Sequence, residues 1–323
     1  MTGPHAAVKV LSVVGAGRSG TTILASMLGE VEGFTSAGEL RWLWERGLRD
    51  ERPCACGEPP GRCPVWSQVI PRTLVEPAGN GDRFTVDEVV AAQHEVGARR
   101  NYPRVLRQLA DGATAWPALR TVRAVTSSAC TSLAAATGSR VVVDISKRPV
   151  DAAVLAGGPD IDHFVLHLVR DPRAVVHSWR RAKTFTAGGQ TRTMGTRGLA
   201  STVRRWSGNS LSAEALRRRL PPSRWLYMRY EDLAAEPRAS VARIVDFLGE
   251  AGAPPFVDEH TVLLRPNHIV AGNPSRFTTG EVTVRADDAW RRGMSRRDQW
   301  IVELTTWPLM LRYGYRLRPG RLP

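Results

Sequence analysis

Residues Lys9 to Glu30 read KVLSVVGAGRSGTTILASMLGE. Val10, Leu11, Val13 and Val14 make a short apolar, β-branched run. The run stops at Gly15-Ala16-Gly17-Arg18-Ser19-Gly20, after which Ile23, Leu24, Met27 and Leu28 recur at helical spacing. The stretch predicts a buried strand, a tight glycine loop and a helix that ends near Gly29. A loop of this kind aims backbone N–H groups and the positive end of the helix dipole at one point, which is where an anion sits. Phosphate, or a group like it, is the first ligand to expect. A strand–helix turn without a ligand is the blander reading, but an arginine among three glycines has little structural use.

Three kinds of site share parts of this pattern. Gly15, Gly17 and Gly20 satisfy the dinucleotide fingerprint G-x-G-x-x-G, and Glu39 stands near the place of an acidic ribose partner. The segment before it, Gly33-Phe34-Thr35-Ser36-Ala37-Gly38, is too rich in glycine and too poor in apolar residues for a convincing second strand. Gly15 and Gly20 also have the spacing of the nucleoside-triphosphate loop, but Thr21 occupies the position of its lysine. What remains is Arg18-Ser19-Gly20-Thr21-Thr22, a cation inside the loop and two hydroxyls opening the helix, suited to a terminal anionic group without magnesium. Here the chain resembles the sulfotransferases that use 3′-phosphoadenosine 5′-phosphosulfate (PAPS), whose loop of this form binds the 5′-phosphosulfate. The resemblance makes Gly17, Arg18, Ser19, Gly20, Thr21 and Thr22 cofactor-binding residues.

The chain has 323 residues and a net charge of +14, which suits an anionic cofactor and raises the question of nucleic acid. Its basic residues are scattered, however, and Arg217-Arg218-Arg219, the longest cationic run, reads as a solvated helix face. No specific nucleic-acid partner is expected. Only Lys9, Lys147 and Lys183 are lysines, so a lysine at a site is informative. No linker or repeat divides the chain, and one domain with insertions is expected over 1–323. No charged start followed by an apolar segment opens it and no run approaches the roughly 18 apolar residues of a membrane span, so a cytoplasmic location is expected. Cys54, Cys56 and Cys63 lie close enough to share a metal but lack a clear fourth ligand nearby; reduced thiols in a local loop are expected, and no metal.

Leu40, Leu43 and Trp44 fall at helical spacing, which places Glu39 in the first turn of a helix. The resemblance gives Glu39 a role: Gly38-Glu39-Leu40-Arg41 matches a Gly-Glu-x-Arg segment whose glutamate is the base in one branch of sulfotransferases, including those acting on protein tyrosine. Residues 51–137 hold the cysteine loop and amphipathic segments near 86–99, 102–109 and 122–135, expected as a largely helical insertion over the acceptor. Arg140 to Ile145 resumes the sheet, and Lys147 follows it, at a carboxyl end where open α/β sheets collect ligands. The same branch carries a lysine–acidic–proline turn here, with the lysine on the transferring group; this chain has Arg148 in the acidic place.

Phe164 to Ser178 is the second firm signal. A strand ends in Arg170, Pro172 starts a helix where its missing N–H costs nothing, and Ser178 lies about two turns in. The Arg-x7-Ser spacing matches the family's 3′-phosphate site, and an arginine fork with a hydroxyl is sound chemistry for a phosphate. Thr184–Gly198 reads as a mobile flap, Leu199–Leu220 as a basic helix, Trp225–Tyr230 as a strand, Pro237–Leu248 as an amphipathic helix and Trp300–Leu311 as the last helix, packing Ile301, Leu304 and Leu311. Asn267 to Phe277 looks like the late loop that closes over the nucleotide, with Arg276 a second cation for the 3′-phosphate and Asn273 a further partner. His167 and His177 read as packed rather than catalytic.

The expected fold is a P-loop-like three-layer α/β/α domain with a central, mostly parallel sheet. The expected function is transfer of the sulfuryl group of PAPS to a hydroxyl of a small molecule, carbohydrate or glycolipid, with Glu39 as base and Lys147 and Arg18 meeting the developing charge. A bacterial enzyme of specialised metabolism and a homodimer both fit this reading. A P-loop small-molecule kinase and a non-catalytic nucleotide- or nucleic-acid-binding protein are the alternatives.

Overall fold

The computed structural model describes residues 7–317 apart from 76, 78–80, 110–115, 188, 189, 253 and 255. Val8–Val14 forms β1, followed by α1 (Thr21–Gly29) and β2 (Phe34–Gly38). A π-helical turn at Leu43–Arg49 leads into α2 (Trp66–Leu74), α3 (Val86–Val96), α4 (Tyr102–Gln108) and α5 (Pro117–Thr137). Then come β3 (Val141–Lys147), α6 (Pro149–Leu155), β4 (Ile161–Val169) and α7 (Pro172–Arg180). The strands β5 (Lys183–Ala187) and β6 (Gln190–Met194) pair before α8 (Leu199–Arg217) and β7 (Trp225–Arg229). The chain closes with α9 (Tyr230–Ala235), α10 (Pro237–Phe247), β8 (Thr261–Leu264), β9 (Gly280–Thr283), α11 (Trp290–Gly293) and α12 (Arg296–Arg312).

Five strands make the central sheet in the order β2-β3-β1-β4-β7, and every pairing is parallel. A parallel sheet needs both faces covered, and the period-two pattern supplies two sets of apolar side chains. Leu11 and Val13 of β1, Val141, Val143 and Ile145 of β3, and Phe164, Leu166 and Leu168 of β4 face one layer with Leu24 and Leu28 of α1 and Val241, Ile244 and Val245 of α10. Val10 and Val142 point the other way, onto Val125, Ala129 and Leu133 of α5. Val14 and Val165 meet α6 and the Ala213 and Leu216 side of α8. The result is the three-layer α/β/α, P-loop-like fold expected from the sequence. From β1 the chain runs first to β2 and β3 on one side and then to β4 and β7 on the other, so ligands are expected at the carboxyl ends around β1.

Three local expectations are corrected. Phe34 to Gly38 is a strand after all: it pairs with β3 from Phe34 opposite Val141, and as an edge strand it needs few apolar residues. Glu39 therefore stands in the turn beyond β2, not in the first turn of a helix. The segment expected as a flap, Thr184–Gly198, is not among these corrections: its described part is a two-stranded hairpin and a short tail, and Gly188 and Gly189 lie outside the described residues. In α12 the buried positions are Gln299, Val302, Glu303, Thr306 and Met310, whereas Leu311 is exposed. That face joins Val302 and Met310 to the Glu303 carboxylate, which Arg173 reaches from α7. Among the described residues no helix is long and apolar enough to cross a membrane.

Candidate active site

The glycine loop sits tightly against its neighbours. Gly15 N donates to Lys147 O at 3.0 Å, and a Cβ on Gly15 would stand 2.2 Å from Leu168 O. Gly20 caps α1 in the left-handed region at φ 76°, where a Cβ would meet the Tyr230 ring at 2.6 Å. No side chain caps this helix and no acid lies in its first turn, so its opening N–H groups face the loop's concavity. Arg18, at φ 72°, is only 8% exposed, and none of its guanidinium nitrogens has a hydrogen-bond partner among the described residues. The group lies 4.8 Å over the Trp179 ring, whose Nε1 donates to Gly17 O at 3.3 Å. Burial pushes the Arg18 guanidinium below its ordinary pKa. Ser19 Oγ is buried and unpartnered as well. A buried cation without a counter-charge is costly, so this cradle is built for an anion.

The second half of the site joins the carboxyl ends of β2 and β3. Lys147, the last residue of β3, takes φ 70° and its ammonium donates to Glu39 Oε1. Asp144 Oδ1 accepts from Leu40 N (3.2 Å), Ser146 N (3.0 Å) and Ser146 Oγ (2.6 Å), tying the turn after β2 to β3. Burial pushes the Asp144 carboxyl up to about 7. Glu39 N donates to Val270 O at 2.8 Å and Val270 N to Ala37 O at 3.1 Å, so the late loop runs along β2. Asn273 N then donates to Thr22 Oγ1 at 3.2 Å. Four distant segments, the glycine loop, the turn after β2, the end of β3 and the late loop, thus meet at one place.

A pocket of about 290 Å³ opens there, lined by Arg18, Thr21, Thr22, Glu39 and Lys147 and further by Arg41, Arg46, Arg197 and Arg205. Among the described residues that line it, Glu39 is the single carboxylate. A larger cavity of about 840 Å³ shares Arg46, Trp179, Arg197 and Gly272 with it and extends to Arg52 and Arg276. Several of these residues escaped the sequence reading. Arg18 and Arg197 both lie over Trp179, at 4.8 and 4.5 Å from its centroid, and Arg41 and Arg46 lie over Trp42 at 4.1 and 3.5 Å. Asn209 Nδ2, from α8, donates to Gly15 O at 3.0 Å. Only the position of Trp179, next to Ser178, could have signalled any of this.

Arg170 follows β4 and is buried behind the loop. It donates to Arg18 O (2.8 Å) and Asp287 O (2.8 Å), pairs with the Asp287 carboxylate at 3.1 Å, and stacks 4.3 Å over Tyr230. Ser178 is buried in α7. Arg276 donates instead to Gly272 O (3.2 Å) and Pro53 O (3.4 Å), and Asn273 accepts from Ser275 N. Arg170 and Arg276 are thus held by different segments. His167 is buried at edge-on distance from Trp225 and Tyr313, as a packed residue.

An uncapped helix N-terminus and a buried arginine without a hydrogen-bond partner among the described residues, both at the carboxyl edge of a parallel sheet, make an anion-binding loop. Part of the chain is similar to the sulfotransferase family. The model of that family matches residues 162–254, from β4 past α10 and including Arg170 and Ser178. No curated protein matches the chain by sequence. Among solved structures, the sulfotransferase domain from the curacin biosynthetic pathway aligns at 15% identity over 98% of this chain and 100% of its own, with a TM-score of 0.50. The sulfotransferase STF9 from Mycobacterium avium aligns at 14% identity over 99% of this chain and 79% of its own, with a TM-score of 0.47. Retinol dehydratase, solved with retinol and PAP, aligns at 18% identity over 98% and 84%, with a TM-score of 0.37. At these identities the likeness is one of fold.

Proposed function

We propose that this sulfotransferase-family enzyme moves a sulfuryl group from PAPS to a hydroxyl of a small-molecule, carbohydrate or glycolipid acceptor, with Glu39 as base. The observation that carries the reading is the Arg18 guanidinium, buried in the loop with no nitrogen partnered among the described residues. The residues present fit the donor. Arg18, Ser19 and the N–H groups of Gly20, Thr21 and Thr22 would take the 5′-phosphosulfate; Gly17 keeps the wall low, since a Cβ there would stand 3.1 Å from Trp179. Arg170 and Ser178 would take the 3′-phosphate, for which Asp287 must release Arg170. Arg276 and Asn273 would close the late loop over the nucleotide.

PAPS supplies the sulfuryl group, and the protein's task is positioning and charge. Oxygen of the acceptor hydroxyl bonds to sulfur, the bond from sulfur to the 5′-phosphate oxygen breaks, and the hydroxyl proton passes to Glu39. Lys147 hydrogen-bonds Glu39 now. In the reaction its ammonium turns to the leaving oxygen and frees the carboxylate to accept the proton. The remaining cations, Arg41, Arg46, Arg197 and Arg205, favour an acceptor that is polyhydroxylated or anionic. No step uses a nucleophile on the enzyme.

Glu39→Gln tests the assignment. The amide keeps the shape but cannot take a proton, so turnover should fall by about 10²–10⁴. Calorimetric affinity for adenosine 3′,5′-bisphosphate should stay within a few-fold of the parent's. Turnover near the parent value would remove Glu39 from the base role.

A further inference from the structure

The three cysteines of the 54–63 loop do not stand alone. His268, 205 residues beyond Cys63, brings its Nδ1 to 3.2 Å from Cys63 Sγ, while Cys54 Sγ lies 3.8 Å from Cys63 Sγ. The donor atoms of Cys54, Cys56, Cys63 and His268 all fall within 4.8 Å of one another. The expectation of thiols without a fourth ligand is corrected by this long-range contact, which no local spacing could reveal. We propose that Cys54, Cys56, Cys63 and His268 form a structural zinc site that fastens the cysteine loop to the late loop of the active site.

The dimensions suit that ion. With Zn–S near 2.3 Å and Zn–N near 2.0–2.1 Å, a tetrahedron has donor–donor edges of about 3.5–3.8 Å, and the observed separations bracket this range. Three thiolates and one imidazole form a closed set of soft ligands, the chemistry of structural zinc and not of calcium or magnesium. No position is left for a water, which argues against catalysis at the metal.

The backbone around the donors is shaped to hold them. Cys54 N donates to Glu58 O (2.8 Å), Gly57 N to Cys54 O (2.9 Å) and Cys63 N to Pro59 O (2.9 Å), with Gly57 at φ 94° folding the loop back on itself. Across the joint, Trp66 Nε1 donates to His268 O at 2.7 Å and Ala55 N to Ile269 O at 3.1 Å. Cys54 and Cys63 are fully buried against the apolar cluster of Trp66, Val69 and Val270. A redox pair of Cys54 and Cys63 would leave the convergence of Cys56 and His268 on the same point without a purpose.

The site has a consequence for the transfer chemistry. Beyond His268 the chain runs through Val270, bonded along β2, to Asn273 on Thr22, and Arg276 returns to Pro53 O beside Cys54. Fixing His268 to the cysteine loop therefore fixes the segment that carries Asn273 and Arg276.

The test is metal analysis of the full chain, expressed with zinc in the medium and purified without chelator. About one zinc per chain is expected, with an X-ray absorption shell of three sulfurs and one nitrogen. Cys56→Ser, at a half-buried ligand, and His268→Ala should lose zinc to a competing chelator at concentrations at least tenfold lower than the parent does. His94→Ala, at an exposed histidine outside the cluster, should not. Should either ligand variant fail to fold, cobalt substitution of the parent chain decides: an intense tetrahedral spectrum with thiolate charge-transfer bands supports the site, and a weak octahedral one overturns it. Folded parent protein with no zinc and four free thiols would overturn the proposal. So would a Cys54–Cys63 disulfide under anaerobic purification, or zinc retention unchanged in both ligand variants.

Discussion

Arg18 concentrates the conflict between stability and function. It combines a left-handed backbone, φ 72° at a residue with a Cβ, with a desolvated and unpaired guanidinium. Each is unfavourable for folding alone, and an anion in the cradle relieves the second. Arg18→Gly should therefore raise the thermal midpoint by an amount worth about 1–3 kcal/mol. The same variant should bind adenosine 3′,5′-bisphosphate about tenfold or more weakly, as loss of charge-assisted hydrogen bonds implies. Scanning calorimetry and titration calorimetry on one preparation measure both; a destabilised variant with unchanged affinity would contradict this reading of the loop. Arg18 was legible in the sequence because glycines flank it and a helix follows. Its partner Trp179 was not, because the contact joins residues on separate elements and ring stacking leaves no periodic trace.

At the scale of elements, the instructive case is β2. Glycine and small polar residues concealed it, yet those residues are what its surroundings require: a Cβ on Gly38, at φ 77°, would stand 2.3 Å from Val270 O. The late loop can lie along β2 and place Glu39 only because that position is bare. Gly38→Ala should accordingly cost more than about 2 kcal/mol in urea unfolding and lower turnover strongly, through displacement of Glu39 rather than loss of the donor loop. Parent-like stability would show that the late loop does not depend on that close approach. Elements with strong periodicity, β1, α1, β3, β4 and α7, were readable within about three residues at either end. The face of α12 was not, since its buried side mixes Val302 and Met310 with Gln299, Glu303 and Thr306, and the Glu303 partner Arg173 lies on another element.

At the scale of the whole molecule, β4, the neighbour of the central strand β1, carries two buried neutral histidines on the face away from α1. His163 Nε2 lies 2.9 Å from Ser12 Oγ, and burial pushes His163 down to about 3 and His167 to about 4. In the unfolded chain both take a proton below about 6.5. Their contribution to stability is thus complete above that pH and is lost as pH falls toward 4 and 3. Between pH 6.5 and 5 each should remove up to about 2 kcal/mol, at about 1.36 kcal/mol per pH unit. Urea midpoints at pH 7.5 and 5.0 should drop further for the parent than for His167→Gln; equal drops would show that His167 is protonated in the fold. The overall α/β/α plan was visible in the sequence because the parallel strands β1, β3 and β4 are apolar on both faces. The assembly of the site from four distant segments was not, since only the folded chain brings Thr22, Glu39, Lys147 and Asn273 together.

Isothermal calorimetry with adenosine 3′,5′-bisphosphate, ATP and NADH, without added metal, tests whether the loop and Arg170 form a site for a 3′-phosphorylated sulfuryl donor. Micromolar binding of the bisphosphate, and none of the other two, is expected. Binding of ATP or NADH with none of the bisphosphate would rule such a site out.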